Sequence, residues 1–283
     1  MTFHQHPTTY TKHVQLNVAN LSRSTTFYQE ILGLRILNQS PSVVKFTANG
    51  KDAILIIEES KGQGSQFPNA AGLYHMAFLV PSKKELGAVF NHIRSSGYPL
   101  SGASDHAVSE ALYLNDIDGN GIEIYYDRSP DKWNWKNGEV EMTIDPLDIE
   151  SLTANAEQTS SGLPAGTVMG HVHLRVANLA AAETFYIKGL GFDMVNRYGT
   201  QALFISSNGY HHHIALNIWG NPRAIERDEH TLGLKSYSLI YPNDEERQKV
   251  VGQLKEIGAS VTEQSEYVST IDPSGIEIQL FIV

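Results

Sequence analysis

The chain of 283 residues contains no cysteine, and that absence removes more chemistry than any other feature of its composition. Disulfides, thiolate zinc sites, iron–sulfur clusters and cysteine nucleophiles are all excluded, so any metal must be held by His, Asp or Glu. No apolar run approaches the ~20 residues that span a bilayer, and the opening MTFHQHPTTY lacks the basic-then-apolar build of a signal peptide, so the expectation is a cytoplasmic protein with no membrane partner. Basic residues are also scarce: 21 Lys and Arg stand against 31 Asp and Glu, a net charge of −10, which disfavours nucleic acid as a partner. The length exceeds that of a usual single domain and suggests two, each large enough for its own core.

What the chain does contain is a repeat. "HVQLNVANLSRSTTFYQEILGL" from His13 returns as "HVHLRVANLAAAETFYIKGLGF" from His171, and "DGNGIEIYY" from Asp118 matches "DPSGIEIQL" from Asp272. This gives modules over 8–129 and 166–283, joined by a polar, turn-rich arm over 130–165. Each module divides again. A strand from His13 to Val18, an amphipathic helix near Leu21 to Leu32 ending at Gly33, and strands in "LRILNQ", "SVVKFTA" and "AILIIEE" form one βαβββ unit. A second unit begins at Tyr74, with a helix over 82–96 and strands around "YPLSGA", "ALYLND" and "GIEIYYD". The fold class is therefore α+β, with four such units.

The stretch "GLYHMAFLV", Gly72 to Val80, reads as a buried strand with an imidazole, His75, in its middle. A lone histidine there is most simply a core residue bonded to a backbone carbonyl; only polar company would change that reading. On the first strand, alternation places His13, Gln15 and Asn17 on one face and Val14, Leu16 and Val18 on the other. The same rule aims Glu123 and Tyr125 away from Ile122 and Ile124.

Four βαβββ units in two modules, with "NLSRSTTFYQEILGL" after the first strand, resemble the vicinal oxygen chelate superfamily, which includes glyoxalases, extradiol dioxygenases and bleomycin-resistance proteins. The resemblance covers nearly the whole chain outside the arm. It implies cupped mixed sheets, with the units paired two by two, helices outside and the chemistry inside. It also implies metal ligands on the opening strands of two units and on the last strand of the second, which in the N-terminal module are His13, His75 and Glu123. Two imidazoles and a carboxylate are the facial triad of non-haem Fe(II) oxygenases.

"SDHAVSEALYLNDIDGNGIEIYYD" resembles the closing segment of extradiol dioxygenases, with two more residues after the histidine than that pattern has. The resemblance implies His106 as an acid/base and Tyr113 as a hydrogen-bond donor to substrate. The C-terminal module departs from the pattern, because Ser236 stands at the middle ligand position between His171 and Glu277. A second metal there would need His173 or one of His211, His212 and His213; His171, His213 and Glu277 form the candidate set, and a histidine cluster or an interface is the alternative.

The leading expectation is an extradiol dioxygenase, close to the catechol dioxygenase-like group of Bacillus-type bacteria. It would use Fe(II), or Mn(II), to open a small aromatic diol with dioxygen, and is expected to be a homo-oligomer. The alternatives are a glyoxalase-type isomerase or lyase using Ni(II) or Zn(II), with a fourth protein ligand, and a drug-binding resistance protein without catalysis.

Overall fold

The computed structural model describes residues 3–60, 69–156, 161–228 and 230–283, so residues 157–160 of the arm lie outside it. The first unit comprises β1 (Tyr10–Val18), α1 (Leu21–Glu30), β2 (Arg35–Gln39), β3 (Val43–Thr47) and β4 (Leu55–Glu59). The second has β5 (Gly72–Leu79), α2 (Lys83–Ser96), β6 (Gly102–Asp105), β7 (Ser109–Asn115) and β8 (Gly121–Asp127). The arm carries β9 (Trp135–Lys136), β10 (Glu139–Val140), β11 (Asp145–Pro146) and α3 (Ile149–Thr153). The third unit is β12 (Val168–Arg175), α4 (Leu179–Glu183) running into a π-helical turn over Thr184–Gly189, β13 (Asp193–Tyr198), β14 (Ala202–Ser206) and β15 (Ile214–Asn217). The fourth is β16 (Gly233–Tyr241), α5 (Asp244–Glu256), β17 (Val261–Glu263), β18 (Val268–Ile271) and β19 (Glu277–Ile282).

Local chemistry explains the repeated motifs. In each VANL segment the asparagine caps a helix: Asn20 accepts from the Arg23 N–H and Asn178 from the Ala181 N–H, satisfying donors that the first turn cannot. The tyrosine of each TFY segment reaches across its own module. Tyr28 donates to Asp116 at 2.7 Å and Tyr186 to Asp272 at 3.1 Å. Each aspartate in turn accepts the backbone N–H groups of the turn before the module's last strand. Helix and hairpin are thereby tied together inside the core.

The units do not pair in chain order. One sheet runs β17-β18-β19-β16-β1-β4-β3-β2 and the other β11-β6-β7-β8-β5-β12-β15-β14-β13. The first unit therefore joins the fourth through antiparallel β1 and β16, and the second joins the third through β5 and β12. The apolar faces of all four opening strands, including Leu16, Phe78, Leu174 and Leu239, share one core with the helices. The opposite, polar faces line two cups. The arm is packed rather than loose: β11 extends the edge of β6, and Trp133 and Val140 bury themselves with Val108, Val195 and Tyr210.

Candidate metal centre and its surroundings

His75 on β5, Glu123 on β8 and His171 on β12 converge in the cup built by the second and third units. Alternation places each of them on the face opposite its apolar neighbours: Met76 and Phe78, Ile122 and Ile124, Val172 and Leu174 all enter the core. His75 Nε2 lies 2.9 Å from Glu123 Oε2, His171 Nε2 lies 3.4 Å from the same oxygen, and the two nitrogens are 3.4 Å apart. Three donors bound at ~2.1 Å on one face of an octahedron stand ~3 Å from one another, so the spacing suits a shared cation that leaves the opposite face open. All three residues are buried, and two imidazoles aimed at one carboxylate give a donor set suited to a divalent ion rather than to an apolar core. Burial alone would raise the Glu123 pKa, yet the neighbouring His171 and His75 outweigh it and hold the carboxyl well below its usual range. Burial lowers that of His171, partly offset by Glu123. A deprotonated carboxylate beside an uncharged imidazole is the state a metal requires.

Around these three, each histidine's tautomer follows from its partners. His106 Nδ1 faces the Thr143 carbonyl at 2.7 Å and must donate to it, so His106 Nε2 accepts from the Tyr113 hydroxyl at 2.6 Å. Tyr113 stands directly opposite Glu123 in the strand register, and burial, followed by the Glu123 charge, keeps its phenol protonated far above the usual range. The loop that presents His106 is clamped. Asp105 accepts from Arg128 at 2.6 and 2.8 Å and from the N–H of Ala107, which has a left-handed φ of 65°. Thr143 belongs to the arm, so a segment read as a connection also holds a candidate acid/base in place.

The histidine run closes the floor of the same cup. His211 Nε2 donates to Asp127 at 2.7 Å, which leaves His211 Nδ1 to accept from His212 Nδ1 at 2.8 Å and leaves His212 Nε2 bare. His212 stacks on His171 with ring centres 4.2 Å apart. His171 Nδ1 has no hydrogen-bond partner among the described residues, so stacking rather than a hydrogen bond orients that ring. Tyr210 also donates to Asp127 and meets Tyr125 at 2.8 Å. The sequence signal for His212 was the run itself, whose three members alternation alone could not rank.

His213 accepts from the Ser207 N–H at Nδ1 and donates from Nε2 to the Phe3 carbonyl. Both of its nitrogens are engaged, so it is not placed as a ligand. His173 shares the face of His171, but its Nε2 accepts from Asn217 at 2.8 Å.

His13, expected beside His75, lies in the other cup, where its Nδ1 meets the Ser238 hydroxyl at 3.0 Å. The reason is strand pairing: β1 borders β16, and His171 from β12 takes the place expected for His13. Glu277 is displaced for a different reason. Gly119 and Gly275 share a φ of 85° in equivalent turns, and the turn aspartates Asp116 and Asp272 correspond, so Gln279 and not Glu277 is the counterpart of Glu123. The register agrees, since Ala77 pairs with Glu123 and Ser238 with Gln279. Matching GIEI to GIEI slips the alignment by one pleat. The other cup thus presents His13, Ser236 and Gln279 where the first has His171, His75 and Glu123. The set His171, His213 and Glu277 is divided between sites, with Glu277 on the opposite sheet.

The sequence profile of the Glyoxalase/Bleomycin resistance protein/Dioxygenase superfamily matches residues 11–124 and 168–280. Catechol-2,3-dioxygenase of Bacillus subtilis (strain 168) is 40% identical over 98% of this chain and 99% of its own length. Biphenyl-2,3-diol 1,2-dioxygenase 3 of Rhodococcus globerulus is 27% identical over 54% of this chain and 83% of its own. In fold the chain is similar to glyoxalase I from Zea mays, with a TM-score of 0.59 at 16% identity, covering 96% of this chain and 92% of that one. Two profile matches that together span most of the sequence, and a relative alike from end to end, establish that the chain belongs to the Glyoxalase/Bleomycin resistance protein/Dioxygenase superfamily.

Proposed function

We propose that the chain is a metal-dependent extradiol dioxygenase that opens a catechol-like ring beside its two hydroxyls, with His75, Glu123 and His171 holding Fe(II) or Mn(II). The observation that carries this reading is the convergence of those three donors, with no fourth among the described residues, together with near full-length similarity to a protein named catechol-2,3-dioxygenase. When bound, the metal would supply a redox-active Lewis acid with open positions for both diol oxygens and for dioxygen. Overall, one ring carbon–carbon bond next to the diol breaks and both atoms of dioxygen enter the product.

The chain's own residues do the rest. His106, its Nδ1–H fixed by Thr143, exchanges a proton at Nε2 through the Tyr113 hydroxyl, which faces Glu123 across the strand pair. His212 offers an acceptor, Nε2, for a substrate hydroxyl, held in that tautomer by His211 and Asp127. Tyr74, Trp219 and Phe204 pack around His173 and His212, providing an aromatic wall for a flat ring. A glyoxalase-type centre would require a fourth protein ligand, and among the described residues only His75, Glu123 and His171 bring ligand atoms together, His173 being bonded to Asn217.

The test is to load the protein anaerobically with Fe(II), measure metal content, and admit air in the presence of catechols. One metal per chain and a yellow ring-fission product are expected. Activity with nickel or zinc on a hemithioacetal, and none on any catechol, would overturn the assignment.

A further inference from the structure

Arg175 lies on β12 two residues beyond His173, itself two beyond His171, and is the last residue of the strand that carries the candidate metal donor. At ~3.3 Å per residue the four steps from His171 carry the chain ~13 Å, beyond the span of a single bound ring. Its guanidinium covers the face of Tyr74, 5.4 Å from the ring centre, and Tyr74 itself packs against His75, His173 and Trp219. Arg175 is half-buried and, among the described residues, has neither an ion-pair nor a hydrogen-bond partner. Other arginines of this acidic chain are engaged differently: Arg23, Arg128, Arg197 and Arg247 each hold a carboxylate. A half-buried cation at the strand end, with one face covered by an aromatic ring and its planar N–H fork unpaired among the described residues, is arranged to receive a planar anion.

Resting on the dioxygenase reading, we infer that Arg175 recognises a carboxylate substituent on the far side of the diol ring, so that the preferred substrates are aromatic diols bearing an acidic side chain. Tyr74 would guide the ring between Arg175 and the metal donors, and Trp219 would close the opposite side. The guanidinium stays clear of the reacting atoms, so it sets specificity without taking part in the chemistry.

The experiment compares the full chain with Arg175→Met, which keeps the stacking bulk, and Arg175→Lys, which keeps the charge but not the fork. Binding of 3,4-dihydroxyphenylacetate, its methyl ester and catechol is measured by calorimetry on protein loaded with redox-inert zinc, and turnover is measured on protein loaded with Fe(II). For the acid, Arg175→Met should weaken binding and raise KM about 10- to 100-fold with kcat little changed, and Arg175→Lys should recover part of the loss. Catechol and the ester should stay within about twofold. Equal losses for all three ligands would make Arg175 a structural residue and overturn the inference, as would no loss for any of them. If no diol is turned over with Fe(II), the dioxygenase reading fails, while the calorimetric comparison still decides whether Arg175 selects the carboxylate.

Discussion

His13 and His171 are the same residue of the repeat, in matching sentences of sequence, yet they have different surroundings. His171 meets His75 and Glu123, whereas His13 meets Ser238 and, by ring contact, Phe281. Burial lowers the His13 pKa to about 4, so it is a neutral hydrogen-bonding group at physiological pH. The two alanine variants therefore separate the cups. His171→Ala should lose bound metal and ring cleavage, with little cost to the fold beyond a cavity, while His13→Ala should keep a full equivalent of iron by elemental analysis. In its proposed role His106 is bonded to the Tyr113 hydroxyl and not set among the metal donors, so His106→Ala should retain iron and lose turnover on the order of a hundredfold. Loss of iron in His13→Ala, or full activity in His171→Ala, would return the site to the other cup. At this scale strand alternation shows the face on which Glu123 stands, while His75, Glu123, His106 and Tyr113 as a candidate site come from the resemblance. What the sequence could not supply was which of these belong together.

Elements are joined by contacts that the repeated motifs encode but do not explain by themselves. The TFY tyrosine is legible as a helix position facing inward; its partner, an aspartate 88 residues away in the first module, is not. Asp116 is buried, which pushes its carboxyl pKa up, and the Asn120 and Tyr28 hydrogen bonds act against that shift. Tyr28→Phe removes one of these donors without changing shape, and should cost ~1–2 kcal/mol in urea unfolding. The effect belongs to the tie between α1 and the β7–β8 turn, so a Tyr98→Phe control, whose hydroxyl is bonded at the surface to the Asn115 carbonyl, should cost markedly less. Equal losses in both variants would mean that the buried tyrosine–aspartate pair has no special part in holding helix to hairpin. The arm is the element least visible in advance. Its composition is polar and turn-rich, yet β11 pairs with the edge of β6, where the backbone rather than any side-chain pattern makes the bond.

Over the whole molecule, an unusual number of histidines are buried in the neutral form. Burial lowers the pKa of His4 from 6.5 to about 4, and it also lowers those of His173, His212 and His213. At His4 the unfolded chain binds more protons than the folded one between those values, so its contribution to stability is complete above pH ~6.5 and is lost as pH falls toward 4. For His4 alone it amounts to ~3 kcal/mol. His4 donates from Nε2 to the Gly170 carbonyl, a bond that glutamine can imitate without titrating. His4→Gln should therefore show a shallower fall in urea midpoint from pH 7 to pH 4.5 than the wild type, and parallel curves would assign the acid sensitivity to other groups.

Sequence by itself determined the repeat, the βαβββ order of its units and the faces on which the polar residues of β1 and β8 stand. These follow from local periodicity and side-chain chemistry, which operate over a few residues. Tertiary structure alone decided that the first unit joins the fourth and the second joins the third, that His171 rather than His13 stands beside His75 and Glu123, and that Gln279 rather than Glu277 is the counterpart of Glu123. The edges of the four opening strands offer the same backbone N–H and C=O groups whatever side chains they carry, so the choice of neighbour is made by the common core and not by any motif.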